Sequence, residues 1–176
     1  MPFKPDEFAS NLNKRGVAKA SHFEVKIHGP GDQGTERDMT FRAETAELPG
    51  RTLSTNEHRI YGPIRKIPYA STYTDTSVTI LSSKDLAEKV YFEEWQNMIH
   101  NHKADRNGGQ YNLGYYNDYV REVVVTTFDE MGGQTSEHIF DEAYPVGIAP
   151  ISLSWSSEEL IKLQITFAYR DYIFNN

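Results

Sequence analysis

Cysteine is absent from the chain, which removes disulfides, thiolate nucleophiles and cysteine-ligated zinc from consideration. Long apolar runs are also missing: no window approaches the roughly 20 apolar residues of a membrane span, and the opening MPFKPDEFAS has no stretch of signal-peptide length. The expectation is a chain made and kept in a soluble compartment, with no membrane insertion. Cations are in deficit, 18 Lys and Arg against 25 Asp and Glu, for a formal net charge of -7. A general nucleic-acid-binding surface needs clustered Lys and Arg to displace counterions, so DNA binding is not the expected task.

Catalytic patterns are equally scarce. There is no GxSxG, no phosphate-binding loop and no dinucleotide fingerprint, because the glycines of GPGDQG lack the following helix and the Lys-Ser/Thr pair. His100-Asn101-His102 spells a nuclease triplet. Three adjacent residues at a helix end do not converge on one ion, and His near a helix C-terminus suits the dipole. His22 and His28 alternate along a strand face and read as solvated. The acidic pairs Glu93-Glu94, Asp129-Glu130, Asp141-Glu142 and Glu158-Glu159 are adjacent in sequence, so each is expected to point in different directions or to lie in a turn. No enzyme, catalytic residue, metal or cofactor is expected.

What is present is the material of one β-rich domain. At 176 residues, 38% hydrophobic and 12% aromatic, the chain is long enough to bury a proper core. Residues 1–20 read as an N-terminal arm with a short helix, from Pro5 through Phe8 and Leu12 to the stop at Lys14, Arg15 and Gly16. Residues 21–176 read as a single domain. SHFEVKIHG alternates Phe23, Val25 and Ile27 with polar residues, the period of a half-buried strand. MTFRAETAELPG predicts a second strand with Met39, Phe41 and Ala43 on one face, ended by Pro49-Gly50. TYTDTSVTILSS carries Val78 and Ile80 on one face of another.

One helix is expected, over KDLAEKVYFEEWQNMIHNH. Ser82 and Asp85 resemble a capping box, and Ala87, Tyr91, Trp95, Met98 and Ile99, joined by Leu86 and Val90, form a stripe at helical spacing. Residues 102–118 predict a loop too long for a plain connection. VREVVVTTF, HIFDEAY, VGIAPISLSW and LIKLQITFAYRDY complete seven to eight strands. The fold class expected is mainly β: an antiparallel sandwich or barrel with one flanking α-helix. Trp95 on the helix and Trp155 at a strand end read as core anchors.

Residues 51–72 behave differently. Gly62-Pro63 interrupts them, Arg51, Arg59, Arg65 and Lys66 make them basic, and no long apolar alternation is present. Such a segment buries little of itself and reads as an extended arm. The last two runs have the opposite character. Ile151, Leu153 and Trp155 alternate with Ser152, Ser154 and Ser156, and Ile161, Leu163, Ile165, Phe167 and Tyr169 alternate with Lys162, Gln164, Thr166, Ala168 and Arg170. One face is core; the other is small and polar, without aromatic platforms. Lys162 and Arg170 are its cations, with Glu24, Glu122 or Glu159 expected to offset them.

Several landmarks in this order resemble the tail tube proteins of contractile-tailed, T-even-type bacteriophages. The resemblance runs through FRAETAELPG, with Leu48, Pro49 and Gly50, and through IPYASTYTDTSVTILSSKDLAEKVYFEEWQ, with Val78, Thr79, Ile80, Phe92, Trp95 and Gln96. It closes on YPVGIAPISLSWSSEELIKLQITFAYRDY, with Pro145, Val146, Leu153, Trp155 and Glu159, then Ile165, Thr166, Asp171 and Tyr172. It covers most of the chain beyond about residue 20, while loop 102–118 and the turn around Gly133 look elaborated. The resemblance implies a protomer that assembles with itself into stacked hexameric rings, forming an inner tube inside a sheath. DNA and the tape measure protein would occupy the lumen, without specific binding of DNA, and baseplate proteins would initiate the tube. The location implied is the virion tail, assembled in the host cytoplasm.

The resemblance further implies that the hairpin arm, with Arg51, Arg59, Ile60, Tyr61, Arg65 and Lys66, bridges subunits. Ser152, Ser154, Lys162, Gln164 and Thr166 become the candidate lumen face, since a conduit wall without stacking platforms holds bases weakly. Two other roles share the fold, a baseplate protein that initiates the tube and the inner tube of a secretion system. A role of another class, a carbohydrate- or peptide-binding β-sandwich module, has only the Tyr-rich stretch 111–119 in its favour.

Overall fold

The computed structural model describes residues 19–30, 33–59, 61–101, 113–156 and 158–176. The proposed N-terminal arm lies outside the described residues apart from its last two, as do residues 102–112 of the long loop. The described residues hold nine strands, in chain order β1 (Phe23–Ile27), β2 (Ala43–Ala46), β3 (Arg51–His58), β4 (Arg65–Tyr73), β5 (Thr76–Leu81), β6 (Arg121–Phe128), β7 (Gln134–Ile148), β8 (Lys162–Ala168) and β9 (Asp171–Asn175). Helices α1 (Gln33–Arg42) and α2 (Ala87–Ile99) and the single turn α3 (Tyr116–Tyr119) complete the set. All ladders between named strands are antiparallel.

Strand β7 organises the main sheet. Its first half pairs with β6 and β9, its second half with β8, and the path through the sheet reads β1-β6-β7-β8-β5-β2. Between the halves, Glu142 takes a left-handed backbone at φ 53° and the register with β6 slips. A bulge of this kind bends a strand and raises its twist. Period-2 alternation buries Val25, Ile27, Val123, Val125 and Phe140 on one half, and Val78, Ile80, Leu163, Ile165 and Phe167 on the other.

Helix α2 closes this core with Tyr91, Phe92 and Trp95. Trp95 is 0% exposed, lies near-parallel to Phe92 at 6.3 Å between ring centroids, and donates its indole N–H to the Tyr119 carbonyl at 2.8 Å. The expected stripe is rotated: Phe92 is buried, whereas Val90 and Met98 are exposed. The expected Ser82–Asp85 box gives way to Ser83 and Glu88. Leu86 is left-handed at the N-cap, so the helix starts at Ala87, whose N–H reaches the Ser83 hydroxyl at 3.3 Å. The Glu88 carboxylate accepts the Ser83 N–H at 2.9 Å and its O–H at 2.8 Å.

Two strand expectations are corrected. Residues 33–42 are helical, not extended: Met39 is buried and Phe41 is 75% exposed, as two residues on one strand face would not be. Helical geometry lets Glu36 accept the Gly29 N–H at 3.0 Å and the Tyr91 O–H at 2.8 Å, and lets Arg42 donate to Glu88 at 3.1 Å. Three apolar residues at alternate positions carried less weight than these polar ties.

The second correction concerns Ile151, Leu153 and Trp155. Residues 149–156 and 158–161 belong to no strand, and Trp155, expected as a core anchor, is 108% exposed. Pro150 cannot donate to a ladder. Ser154 accepts the Ser156 N–H at 3.3 Å and bonds its hydroxyl at 2.9 Å, the local side-chain bonding that competes with a sheet.

Candidate functional site

The hairpin β3–β4 forms a two-stranded sheet of its own, in register from Arg51↔Tyr73 to His58↔Arg65 with an irregularity after Ser54. Gly62 supplies the positive φ of 80° at its tip, a conformation glycine adopts without steric cost. Of its described side chains from Arg51 to Tyr73, Ser54 and Tyr73 are half-buried and the rest exposed. Apolar residues are among them, including Leu53, Ile64, Ile67, Tyr69 and Tyr61, the last 97% exposed. A free two-stranded hairpin is marginally stable in water.

Its base is firmly tied. The Tyr73 ring meets Tyr169 at 6.1 Å and Tyr172 at 5.8 Å between centroids. The Tyr73 hydroxyl hydrogen-bonds the Asp171 carboxylate, which raises the tyrosine pKa and holds Asp171 below its usual range. Tyr169 donates its hydroxyl to the Thr74 carbonyl at 2.8 Å. Of the arm residues singled out from sequence, Arg51 donates to Ser71 Oγ at 2.9 Å and Lys66 lies 3.9 Å from Glu57. Arg59, Tyr61 and Arg65 are exposed, and Ile60 lies outside the described residues. These cations stand in one projecting element.

The five candidate lumen residues separate into two groups. Lys162, Gln164 and Thr166 share the outer face of β8, opposite the buried Leu163, Ile165 and Phe167. Ser152 and Ser154 are exposed in the excursion before β8 and are not part of that sheet face. Cross-strand pairing sets Thr79 opposite Gln164, Ser77 opposite Thr166, and Thr45 opposite Thr79. This hydroxyl and amide surface therefore continues through β5 to β2. Sequence reading missed Thr45, Ser77 and Thr79, although TSVTIL alternates clearly enough to have placed the last two.

The cations of this region are neutralised, by acids other than those expected. Lys162 Nζ lies 2.6 Å from Glu44, and the Arg170 guanidinium clasps both Asp141 and Glu142 at the bend of β7. Among the described residues no group of His, Asp and Glu is placed to hold a metal ion. A groove of about 700 Å³ between α2 and β7 is open and lined by Gln96, Ile99, Pro145, Val146, Ile148 and Ile151.

The profile of the phage tail tube protein family matches residues 10–175. The chain belongs to that family. A search of curated protein sequences returns no significant match. Solved structures give three instructive likenesses. A chain of the PVC sheath-tube complex in the extended state, an extracellular contractile injection system, is 16% identical with a TM-score of 0.67, covering 94% of this chain and 96% of that one. A chain of the anti-feeding prophage tube-terminating cap is 16% identical at TM-score 0.65, with 92% of each chain covered. A chain of the anti-feeding prophage baseplate is 14% identical at 0.62, covering 90% and 95%. At such identities these are likenesses of fold. They place this tail tube protein's mainly antiparallel β architecture alongside components of contractile injection systems.

Proposed function

We propose that this tail tube protein assembles with itself into hexameric rings stacked as the inner tube of a contractile tail, the conduit for DNA ejection. The observation that carries the reading is the β3–β4 hairpin. It is rooted by Tyr73 and Asp171, yet its tip and both faces are exposed and apolar residues stand along it. Such an element gains its burial on a neighbour. Arg51, Arg59, Ile60, Tyr61, Arg65 and Lys66 are its contact residues, and their charge sets register more than net affinity.

Family membership and the fold shared with a sheath-tube complex, a tube-terminating cap and a baseplate support surface partners of those kinds. The tail sheath protein surrounds the tube, baseplate initiators start it, and the tape measure protein and then DNA occupy the lumen. The role is structural and not enzymatic, in the virion, with assembly in the host cytoplasm. The outer face of β8 and β5 lines the lumen, offering hydroxyls and an amide to water and no ring on which bases stack.

Negative-stain electron microscopy with sedimentation tests the reading. Rings or tubes of sixfold symmetry, growing with concentration or on addition of a tube initiator, are the expected result. A monomer at every concentration and salt, with and without an initiator, overturns it.

A further inference from the structure

The arm needs a receptor on the neighbouring copy, and a second projecting element of this chain has the complementary character. Residues 149–156 and 158–161 leave the sheet and return to it at one point. Ala149 donates its N–H to the Gln164 carbonyl at 2.9 Å, and the Ile161 carbonyl accepts the Ser82 N–H at 2.9 Å. Beyond that neck Leu153, Trp155 and Leu160 are all more than two-thirds exposed. The excursion carries two carboxylates, Glu158 and Glu159, and no cation. The hairpin has four cations, Arg51, Arg59, Arg65 and Lys66, against the single anion Glu57, in a chain whose net charge is -7. Each element exposes apolar side chains, and their charges are opposite.

Their placement is as informative as their chemistry. The β5–β8 ladder runs from Thr76↔Phe167 to Leu81↔Lys162. The hairpin leaves from the first end, where Tyr73 precedes Thr76, and the excursion returns at the other, where Ile161 precedes Lys162. At strand rise the two roots stand roughly 17 Å apart. Within one copy they do not meet at the tryptophan, since Trp155 is fully exposed. Two complementary patches at opposite ends of one subunit make a head-to-tail contact, which repeats from copy to copy.

We propose that the Trp155 excursion of one copy docks on the β3–β4 hairpin of the next, end to end along the β5–β8 ladder. The proposal rests on the assembly reading and names the receptor that reading leaves open. Trp155 and Leu153 cover the apolar side chains of the hairpin, with the guanidinium groups available to the indole face. Glu158 and Glu159 face Arg59, Arg65 and Lys66. Steering by these charges raises the encounter rate, while the buried tryptophan governs release.

Charge exchange and cross-linking together test the proposal. Arg65→Glu with Lys66→Glu, or Glu158→Lys with Glu159→Lys, should each raise the concentration needed for tubes by at least about tenfold. An equimolar mixture of the two doubly substituted chains should recover contacts that neither makes alone. Trp155→Ala should have a similar effect with unchanged circular dichroism, since the side chain is uncovered in the protomer. If Trp155→Ala forms tubes at the wild-type concentration, the docking is wrong and the tube reading stands. Because the chain lacks cysteine, Ser156→Cys and Asn56→Cys chains mixed with a short bismaleimide report the contact even without tubes. A mixed dimer well above that from a Ser156→Cys and Thr135→Cys control pair supports the docking. A yield equal to the control overturns it, whatever the wild type assembles into.

Discussion

Glu88 is a charged side chain in the least accessible part of the protomer, 1% exposed. Burial alone would push its pKa up, but the Ser83 N–H and O–H and the Arg42 guanidinium outweigh that and hold it below the usual range. Removing the carboxylate leaves the Ser83 N–H and O–H without their acceptor, while Arg42 keeps access to water, so Glu88→Ala should cost about 1–3 kcal/mol in urea unfolding. A depressed carboxyl pKa contributes stability that is present above the unfolded-state value and is lost as pH falls through the folded one. The difference between wild type and Glu88→Gln should therefore be largest near neutrality and shrink in acid. The two tryptophans separate just as sharply. Trp95→Ala opens a cavity and strands the Tyr119 carbonyl, for an expected loss of about 3–5 kcal/mol. Trp155→Ala should stay within about 0.5 kcal/mol in the monomer. In sequence the two read alike, because each sits at an apolar position in an alternating or periodic pattern. What decided between them was local: Trp95 has Tyr91 and Phe92 on its own helix, whereas Trp155 lies in the non-strand stretch after Pro150, between the mutually bonded Ser154 and Ser156.

Elements with many consistent positions were legible, and those with few were not. Strands β1, β5 and β8 alternate over five or more residues, β6 is a run of β-branched residues, and the structure places all four where the sequence predicts a strand. Helix α1 was read as a strand because one buried residue, Met39, sets no period; its conformation is fixed by Glu36 and Arg42 reaching partners far along the chain. The arm was legible through what it lacks, since a basic, Pro-interrupted segment with no alternation has no core to join; that it is a hairpin came from the resemblance. Replacing residues 56–66 by a short Gly-Ser turn should leave the circular dichroism and thermal transition of the protomer intact while abolishing tubes on grids. Loss of the fold would place the arm in the protomer's own stability. Strand β9 is the element expected to respond to acid. His138 packs its ring 4.9 Å from Phe174, its Nδ1 is buried with no hydrogen-bond partner, and burial lowers its pKa. A histidine kept neutral in the folded state costs stability as pH falls from its unfolded pKa toward the folded one. Protection factors of the β9 amides, with the intrinsic pH dependence of exchange divided out, should fall over that window in wild type and lose that dependence in His138→Gln.

At the scale of the whole molecule, the net charge of -7 and the pairing of Lys162 and Arg170 bear on what the proposed tube would let pass. Each phosphate that a wall neutralises adds affinity, and in a conduit affinity is friction. The outer face of β8 holds a lysine, yet Glu44 sits 2.6 Å from its ammonium, and Arg170 is shared by Asp141 and Glu142. Which cation would threaten transit was legible in the sequence. Its neutralising partner was not, because Glu44 lies 118 positions from Lys162 and meets it through the β2–β5–β8 path. With this face toward the lumen, tubes of the wild type should retain almost no DNA at physiological salt. Glu44→Gln with Asp141→Asn and Glu142→Gln strips the counter-charges from two cations per subunit while leaving the shapes nearly unchanged. Tubes of that variant should hold single- or double-stranded DNA in co-sedimentation, with retention that falls steeply as salt rises from 50 to 200 mM. Equal, negligible retention by both would place this face away from the lumen, and strong retention by wild-type tubes would refute the low-friction wall altogether.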